Sequence, residues 1–293
     1  MKGIILAGGS GSRLFPSTRV ISKHLLAIYN KPMIYYPLST LMLAGIKEIL
    51  IISTPRDLPK FRELFGKGKK LGLEISYAIQ KTPNGLAEAF LIGEKFINNK
   101  STCLILGDNI FYGDELISKL KKSSELKKGA KIFAYAVKKP EQYGVVTFNN
   151  KGLATKIEEK PHNPKSNYAV TGLYFYDNNV VDIAKSIKPS IRGELEITSV
   201  NQEYLKHNKL EVEILGRGMT WLDAGTEDTL LEAATLISTI EKRQGLIISC
   251  LEEIALNNCW ITKKKFKNLI LDTSNNSYNE YLKLVIKNLK NKE

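Results

Sequence analysis

Six residues near the start of the chain, Gly8-Gly9-Ser10-Gly11-Ser12-Arg13, follow a short apolar run and have the composition of a phosphate-binding loop. Glycines allow the backbone to approach a phosphate closely and to turn its N–H groups toward the anion. Arg13 lies in this loop, and Lys23 follows ten residues later. Two cations beside such a loop suit a triphosphate whose leaving pyrophosphate gains charge in the transition state. Arg13 and Lys23 are therefore candidate catalytic residues.

Two common nucleotide-binding loops do not fit this segment. A dinucleotide-binding loop has the pattern G-x-G-x-x-G and an acidic residue about 20 residues further on. Here Leu14 replaces the third glycine, and no Asp or Glu occurs between Met1 and Lys47. The phosphate-loop pattern G-x-x-x-x-G-K-[ST] occurs nowhere in the chain. A nicotinamide-dependent dehydrogenase is thus disfavoured.

Two aspartates each follow a short apolar run. Asp108 follows Leu104-Ile105-Leu106-Gly107, and Asp223 follows Met219-Thr220-Trp221-Leu222. An Asp just past a parallel strand lies at the carboxyl edge of the sheet, where ligands bind in open α/β folds. Two such carboxylates could hold one Mg²⁺ between a triphosphate and an acceptor. For Asp108 the ordinary alternative is a cap of the following helix.

A carboxylate and a cation stand side by side in Glu158-Glu159-Lys160-Pro161. Sugar hydroxyls can donate to the carboxylate, while a phosphomonoester can bind the lysine. Taken alone, Glu-Glu-Lys is typical of a solvated turn, so this sequence gains meaning only beside the other motifs.

Hydrophobic periodicity predicts the elements that must position these residues. In the first half, near-continuous Ile/Leu strands alternate with helices, which indicates a parallel sheet covered on both faces. The predicted strands are 2–7, 48–53, 73–79, 102–106 and 131–137, and the predicted helices are 32–44, 58–65, 86–97 and 115–126.

The rhythm changes after Pro140. A hairpin is predicted for 143–148 and 153–158, strands for 169–176 and 210–215, and helices for 194–206 and 227–243. We therefore divide the chain into a core, 1–243, and a C-terminal helical segment, 244–293. Within the core, a nucleotide half covers about 1–140 and a sugar-phosphate half about 141–243.

Composition limits the possible classes of protein. The chain has 293 residues and a net charge of +13, but its 36 lysines and seven arginines are scattered without a nucleic-acid-binding motif. We expect no nucleic-acid partner, and the charge suits polyanionic small substrates. No apolar run approaches the roughly 18 residues of a membrane span, and the first is too short for a signal peptide. Three cysteines without metal-like spacing indicate reduced thiols, so we expect a cytoplasmic protein that does not bind membranes.

In combination, these motifs resemble the sugar-nucleotidyltransferase family. Longer stretches carry the same resemblance: Lys31 to Gly45, Ser166 to Tyr176 and Arg192 to Thr198. The resemblance implies an α/β fold, a Rossmann-like doubly wound nucleotidyltransferase core with a mixed central sheet. It also implies that dTTP and α-D-glucose 1-phosphate react to give dTDP-glucose and pyrophosphate, the first step of dTDP-L-rhamnose synthesis for lipopolysaccharide. Mg²⁺ as cofactor and a homotetramer built as a dimer of dimers are further implications.

The resemblance also assigns roles by matching positions. The nucleotide would contact Gly8, Gly9, Ser10, Gly11, Ser12, Arg13, Gln80, Pro83, Gly85 and Asp108. Asp108 and Asp223 would bind Mg²⁺. The sugar phosphate would contact Leu86, Asn109, Tyr143, Gly144, Glu159, Lys160, Val170 and Trp221. Arg217 would belong to a possible allosteric nucleotide site.

Some positions depart from the family pattern, and some alternatives stay open. Glu88 and His24 each stand where Gln is common, and Asn257-Asn258 stands where a basic residue is common, which would weaken feedback control. A different base or sugar, such as UTP in place of dTTP, is the main alternative within the enzyme class. A non-catalytic regulatory subunit on the same fold is the alternative outside it.

Overall fold

A computed structural model describes residues 1–271 and 276–290 of this protein. Within these residues the central sheet is mixed and contains nine strands. The strands of the molecule are β1 (Lys2–Ala7), β2 (Ala27–Ile28), β3 (Lys31–Pro32), β4 (Glu48–Ser53), β5 (Glu74–Ile79), β6 (Thr102–Leu106), β7 (Asn109–Tyr112), β8 (Ala130–Ala136), β9 (Gly144–Phe148), β10 (Ala154–Glu159), β11 (Tyr168–Tyr176), β12 (Leu210–Ile214) and β13 (Thr220–Asp223). The helices are α1 (Tyr35–Leu43), α2 (Leu58–Phe65), α3 (Glu88–Ile92), α4 (Glu94–Ile97), α5 (Leu116–Ser124), α6 (Val180–Ser186), α7 (Ile197–Lys206), α8 (Glu227–Gln244), α9 (Leu251–Asn257), α10 (Lys263–Leu271) and α11 (Ser277–Lys290).

The order of the sheet explains its mixed character. Strands β5, β4, β1 and β6 are parallel neighbours in that order, with β1 between β4 and β6. Strand β11 then pairs antiparallel with β6, β8 pairs antiparallel with β11, and β12 runs parallel to β8. The hairpin β9–β10 joins β11 at Ala169. The predicted α/β fold with a mixed sheet is therefore confirmed, and one sheet spans both halves of the core.

Helices cover both faces of the sheet. Along β1, Ile5 and Ala7 face a core shared with α1, α2, α5 and the C-terminal helices, while Ile4 and Leu6 face a core shared with α3, α6 and α7. Alternate side chains of a strand point to opposite faces, so a run that is apolar at every position must be covered twice. This explains why β1 lacks the polar–apolar alternation of a half-exposed strand.

Several elements differ from the sequence-based prediction. Helix α1 begins only at Tyr35, because residues 31 and 32 pair with 27 and 28 in a small ribbon. The predicted helix 86–97 is interrupted at Gly93, where an added Cβ would lie 3.1 Å from Ile4 Cδ1 in β1. Strand β7, strand β13 and helix α6 were not predicted, because each is too short to give a clear periodicity.

The C-terminal segment is helical where it is described, and it lies against α1. Leu251, Leu256 and Phe266 are buried in the same core as α1, and Asn258 Nδ2 donates to Met42 O at 2.9 Å. Of the predicted segment 244–293, residues 272–275 and 291–293 lie outside the described residues.

A buried ion pair attaches the long helix α8 to the β2–β3 ribbon. Lys31 Nζ lies 2.9 Å from Glu241 Oε1, and both side chains are almost fully buried. Glu241 also accepts hydrogen bonds from Asn30 Nδ2 and from the backbone N–H of Ile248. Burial lowers the pKa of Lys31, although the Glu241 carboxylate opposes this shift. A buried charge needs such partners, so these contacts fix α8 beside the start of α1.

None of the helices in the described parts of the chain is both long and apolar enough to cross a membrane.

Candidate functional site

A cleft of about 390 Å³ opens at the carboxyl ends of β1 and β6 and extends to the β9–β10 hairpin. Most of the residues predicted from sequence line it: Gly8, Gly9, Arg13, Lys23, Gln80, Pro83, Gly85, Leu86, Asp108, Asn109, Tyr143, Gly144, Glu159, Lys160, Val170, Trp221 and Asp223. Ser10, Gly11 and Ser12 lie in the outer part of the glycine loop, and Arg217 is exposed in the turn before β13, outside the cleft. The cleft therefore joins motifs that are more than 200 residues apart in the chain.

The glycine loop turns sharply after β1. Gly9 and Gly11 have φ values of 95° and 64°, in the left-handed region that glycine adopts without strain. An added Cβ at Gly11 would lie 2.9 Å from Thr18 Cγ2, and Thr18 Oγ1 donates to Gly11 O at 2.8 Å. The guanidinium of Arg13 lies against Gly225, where an added Cβ would be 2.9 Å from Arg13 Nη2. Gly11 therefore has no room for a side chain beside Thr18, while Gly225 gives the Arg13 guanidinium space to pack against the backbone.

Asp108 is held at the end of β6 by a cation and an amide. Lys23 Nζ lies 2.5 Å from Asp108 Oδ2, and Asn109 Nδ2 donates to Asp108 Oδ1 at 2.9 Å. Burial alone would raise the pKa of Asp108, but the Lys23 ammonium holds that pKa well below its usual range. Asp108 is therefore a carboxylate throughout the physiological range of pH.

The backbone pairing of β13 with β7 places the second aspartate, Asp223, next to Asp108. Strand β13 pairs with β7 so that Asp223 is opposite Asn109, and Ala224 N donates to Asp108 O at 2.9 Å. The pKa of Asp223 is raised by burial and by the negative charge of Asp108. A hydrogen bond from Tyr143 Oη, 3.1 Å from Asp223 Oδ1, and the charge of Arg13 both oppose this shift. Two facing carboxylates repel each other, and a bound cation would relieve that repulsion.

The donors of this pair fit Mg²⁺ better than a metal that needs a full set of protein ligands. No group of three or more His, Cys, Asp or Glu residues suited to a metal occurs within residues 1–271 and 276–290. Mg²⁺ typically binds through one or two carboxylates and completes its coordination with water and substrate phosphates. Asp108 and Asp223 beside the glycine loop match that pattern.

Asn109 is the polar centre that joins three elements. Its Oδ1 accepts from Gly172 N at 3.0 Å and from Trp221 Nε1 at 2.6 Å, while its Nδ2 donates to Asp108. An added Cβ at Gly172 would lie 2.6 Å from Asn109 Oδ1. Asn109 is almost fully buried, so its main structural effect is to fix Asp108 relative to β11 and β13. Its predicted contact with a sugar phosphate stays a prediction.

The far end of the cleft contains Glu159 and residues that the sequence did not single out individually. Thr198 Oγ1 donates to Glu159 Oε2 at 2.5 Å. Arg192 Nη2 lies 2.8 Å from Glu196 Oε1 and 3.5 Å from Glu159 Oε1. These residues occur in the stretch Arg192 to Thr198 that carried part of the family resemblance, which was the available signal.

Lys160 follows Glu159 in an uncommon backbone conformation. Its φ of 42° is rare for a residue with a side chain, and its N–H donates to Tyr143 O at 3.0 Å. Strained backbone of this kind often occurs at binding sites. The side chain of Lys160 is exposed at the edge of the cleft, where it is available to an anionic ligand.

His24 is a further cleft residue that was not predicted to have a role. Its ring is almost fully buried behind Gly107, where an added Cβ would be 2.5 Å from His24 Cδ2. Burial and the nearby Lys23 charge lower its pKa to about 3, so the ring is neutral at physiological pH. It fills space behind Asp108 without adding a third positive charge.

Comparison with known proteins gives consistent matches over nearly the whole chain. A family model described as nucleotidyl transferase matches residues 2–239. A glucose-1-phosphate thymidylyltransferase of Neisseria meningitidis serogroup A is 55% identical over 287 residues, covering 98% of this chain and 100% of that protein. A Bacillus anthracis structure with sucrose, provisionally named a glucose-1-phosphate thymidylyltransferase, is 42% identical with a TM-score of 0.75, covering 80% of this chain and 94% of that chain. A UDP-glucose pyrophosphorylase structure with UDP-glucose is 26% identical with a TM-score of 0.72, covering 82% and 98%.

The role of Asn109 predicts a measurable loss of stability. Replacing Asn109 with Ala leaves the buried N–H groups of Gly172 and Trp221 without their acceptor, so we expect the free energy of unfolding to fall by about 2–4 kcal/mol. Urea unfolding measures this change. In the Trp221→Phe background, which already lacks one donor, Asn109→Ala should cost less. An equal cost in both backgrounds would contradict the assignment.

Proposed function

This chain belongs to the nucleotidyl transferase family, and from that premise we propose that it transfers a thymidylyl group from dTTP to α-D-glucose 1-phosphate. The products are dTDP-glucose and pyrophosphate. The observation that carries the proposal is the single cleft in which the glycine loop with Arg13 and Lys23 faces the Glu159–Lys160 end across two aspartates. Such a cleft can hold two phosphorylated substrates together, as a transfer between them requires.

The loop after β1 would bind the triphosphate. Backbone N–H groups of Gly8 to Ser12 would surround the phosphates, and Arg13 and Lys23 would neutralise the pyrophosphate as it leaves. At the other end, Lys160 would bind the sugar phosphate and Glu159 would accept hydrogen bonds from sugar hydroxyls, while Arg192 pairs with Glu196.

The attacking group needs no general base. A phosphomonoester is already anionic near neutral pH, and in-line attack on the α-phosphorus depends mainly on positioning and charge neutralisation. The His24 ring, with its pKa of about 3, would be a poor proton acceptor, which is compatible with such a mechanism. The work of this chain is therefore to align the two phosphates and to exclude water from the space between them.

Asp108 and Asp223 would hold Mg²⁺. When bound, this ion would neutralise phosphate oxygens and so favour charge build-up on the leaving group. Lys23, which touches Asp108, would keep that carboxylate ionised and correctly turned.

Cellular context is proposed from the family resemblance. The product would feed dTDP-L-rhamnose synthesis in the cytoplasm, and the assembly would be a tetramer made of two dimers. The exposed Arg217 would belong to a second, allosteric nucleotide site.

The same transfer from UTP is a second candidate. The UDP-glucose pyrophosphorylase with the same fold supports it. Thymine and uracil differ by one methyl group, which is worth only about 1–3 kcal/mol in an apolar pocket.

The experiment that tests the proposal is a pyrophosphate-release assay that crosses dTTP, UTP, dCTP and ATP with several sugar 1-phosphates, with and without Mg²⁺. We expect the highest kcat/KM for dTTP with glucose 1-phosphate. Release with another pair alone would overturn the specificity, and no release with any pair would overturn the enzymatic function.

The metal assignment predicts the behaviour of Asp108→Asn. Removing this charge while keeping the shape should lower kcat at saturating Mg²⁺ by at least about 100-fold, because one of the two carboxylates is lost. The matched control is Asp114→Asn, an exposed aspartate shortly after β7, which should keep wild-type turnover. Wild-type turnover in Asp108→Asn would exclude Asp108 as a ligand.

The sugar-phosphate assignment predicts the behaviour of Lys160→Ala. We expect KM for glucose 1-phosphate to rise by roughly tenfold or more, with little change in KM for dTTP, because the lost cation contacts only one substrate. Lys156→Ala is the control, since Lys156 lies in β10, which ends just before Lys160, but pairs with Glu158 on the surface. An equal rise in both KM values would contradict a specific contact.

A further inference from the structure

The segment 15–21 connects the two cations of the proposed triphosphate site, Arg13 and Lys23, and it buries little apolar surface. Of its residues, all of which the structure describes, Thr18 alone is buried, while the apolar Val20 is 74% exposed. Backbone with few buried apolar contacts opens most easily. Polar contacts must therefore hold this segment in place.

Two cations at the start of α2 hold the carbonyl groups of this segment. Lys60 Nζ donates to Val20 O at 2.7 Å. Arg56 Nη1 makes two longer contacts, 3.4 Å to Thr18 O and 3.5 Å to Arg19 O. Three successive carbonyls thus accept from cationic side chains, and hydrogen bonds from charged donors are stronger than those from neutral ones.

The guanidinium of Arg56 is itself fixed by a buried carboxylate. Its Nε lies 2.8 Å from Asp57 Oδ1 and its Nη2 lies 2.9 Å from Asp57 Oδ2, which leaves Nη1 for the segment 15–21. Asp57 is buried and also accepts from Thr54 Oγ1 at 3.1 Å. A two-point contact of this kind sets the plane of a guanidinium. The cationic side of the contact is therefore well defined.

Thr18 connects the segment to the glycine loop. Its Oγ1 donates to Gly11 O at 2.8 Å, and its Cγ2 would lie 2.9 Å from a Cβ added at Gly11. The same carbonyl accepts from Leu14 N at 2.9 Å. A displacement of Thr18 would therefore turn the Gly11 peptide, and the orientation of such peptides decides where the N–H groups of the loop point.

The glycine loop and the start of α2 also follow neighbouring strands. Strands β1 and β4 are parallel, with Ala7 opposite Ser53, and Ser53 Oγ donates to Ala7 O at 2.7 Å. The glycine loop leaves the sheet after Ala7, and the turn that contains Arg56 leaves it after Ser53. The contacts to segment 15–21 therefore close a ring that begins and ends at the same edge of the sheet.

We propose that Thr18 and Lys60 are positioning residues that fix the glycine loop in the conformation that binds the triphosphate. Lys60 holds the segment 15–21 against α2, and Thr18 transmits this restraint to Gly11. Both residues lie outside the lining of the cleft, so they act on the substrate only through the backbone. Donors that are fixed in advance need no reorganisation when the phosphates bind. This inference rests on the proposed function.

The test compares Thr18→Val and Lys60→Met with wild type in both directions of the reaction. Loss of either donor should raise KM for dTTP, and KM for pyrophosphate in the reverse direction, by roughly fivefold or more, because the loop donors no longer converge on the phosphates. KM for glucose 1-phosphate should change by less than about twofold, since this substrate would bind at the other end of the cleft.

Conservative variants separate positioning from a general loss of structure. Thr18→Ser and Lys60→Arg keep the donor, so their KM values for dTTP should be close to that of wild type. Lys67→Met is the matched control, since Lys67 is an exposed lysine shortly after α2, and its KM values should equal those of wild type. Thermal unfolding of each variant shows that the folded protein is assayed.

The double variant Thr18→Val with Lys60→Met tests whether the two residues act in one path. If Lys60 acts through Thr18, the rise in KM for dTTP should be smaller than the product of the two single rises. Wild-type KM values in both single variants would overturn the proposal, as would equal rises for dTTP and glucose 1-phosphate or a full product in the double variant. Failure of wild type to release pyrophosphate would instead overturn the proposed function, so the two failures are distinguishable.

Discussion

The ion pair between Lys23 and Asp108 joins the two parts of the chain on which the candidate site depends. Lys23 follows the glycine loop, and Asp108 ends the strand that neighbours β1 in the sheet. The pair is mostly shielded from water, so each charge needs the other. Its geometry fixes the distance between the end of the glycine loop and the first aspartate, and it keeps Asp108 ionised beside a second carboxylate.

Around this pair, the protein uses polar contacts to place charges that would otherwise repel each other. The β7–β13 ladder brings Asp223 next to Asp108. Asn109 satisfies donors from β11 and Trp221 and still donates to Asp108. His24 occupies the space behind them as a neutral ring. A rigid arrangement of this kind costs little reorganisation when charge develops on a substrate.

The backbone of Leu195 lies between two segments that line the cleft. Leu195 exchanges hydrogen bonds with Asn84 and Ala87 in the loop that contains Gly85. It also lies between Glu194 and Glu196, both of which pair with Arg192 near Glu159. The two segments are in close contact, because an added Cβ at Gly85 would lie 2.4 Å from Leu195 O.

The sequence by itself determined the strands of the parallel sheet, and the family resemblance supplied most of the side chains that line the cleft. Runs such as Ile4 to Ala7 are apolar at every position, which requires cover on both faces, and the glycines that follow allow the sharp turn seen at Gly9 and Gly11. These properties are local, so they can be read from neighbouring residues. The pairing of β13 with β7, the engagement of the Asn109 amide and the place of Arg192 and Thr198 beside Glu159 were decided only by the tertiary structure. Each depends on contacts between residues that are distant in the chain, and no local pattern specifies which donor meets which acceptor. The contact of the Gln80 amide belongs to the same class, because its Nε2 donates to Glu88 Oε2 across a turn.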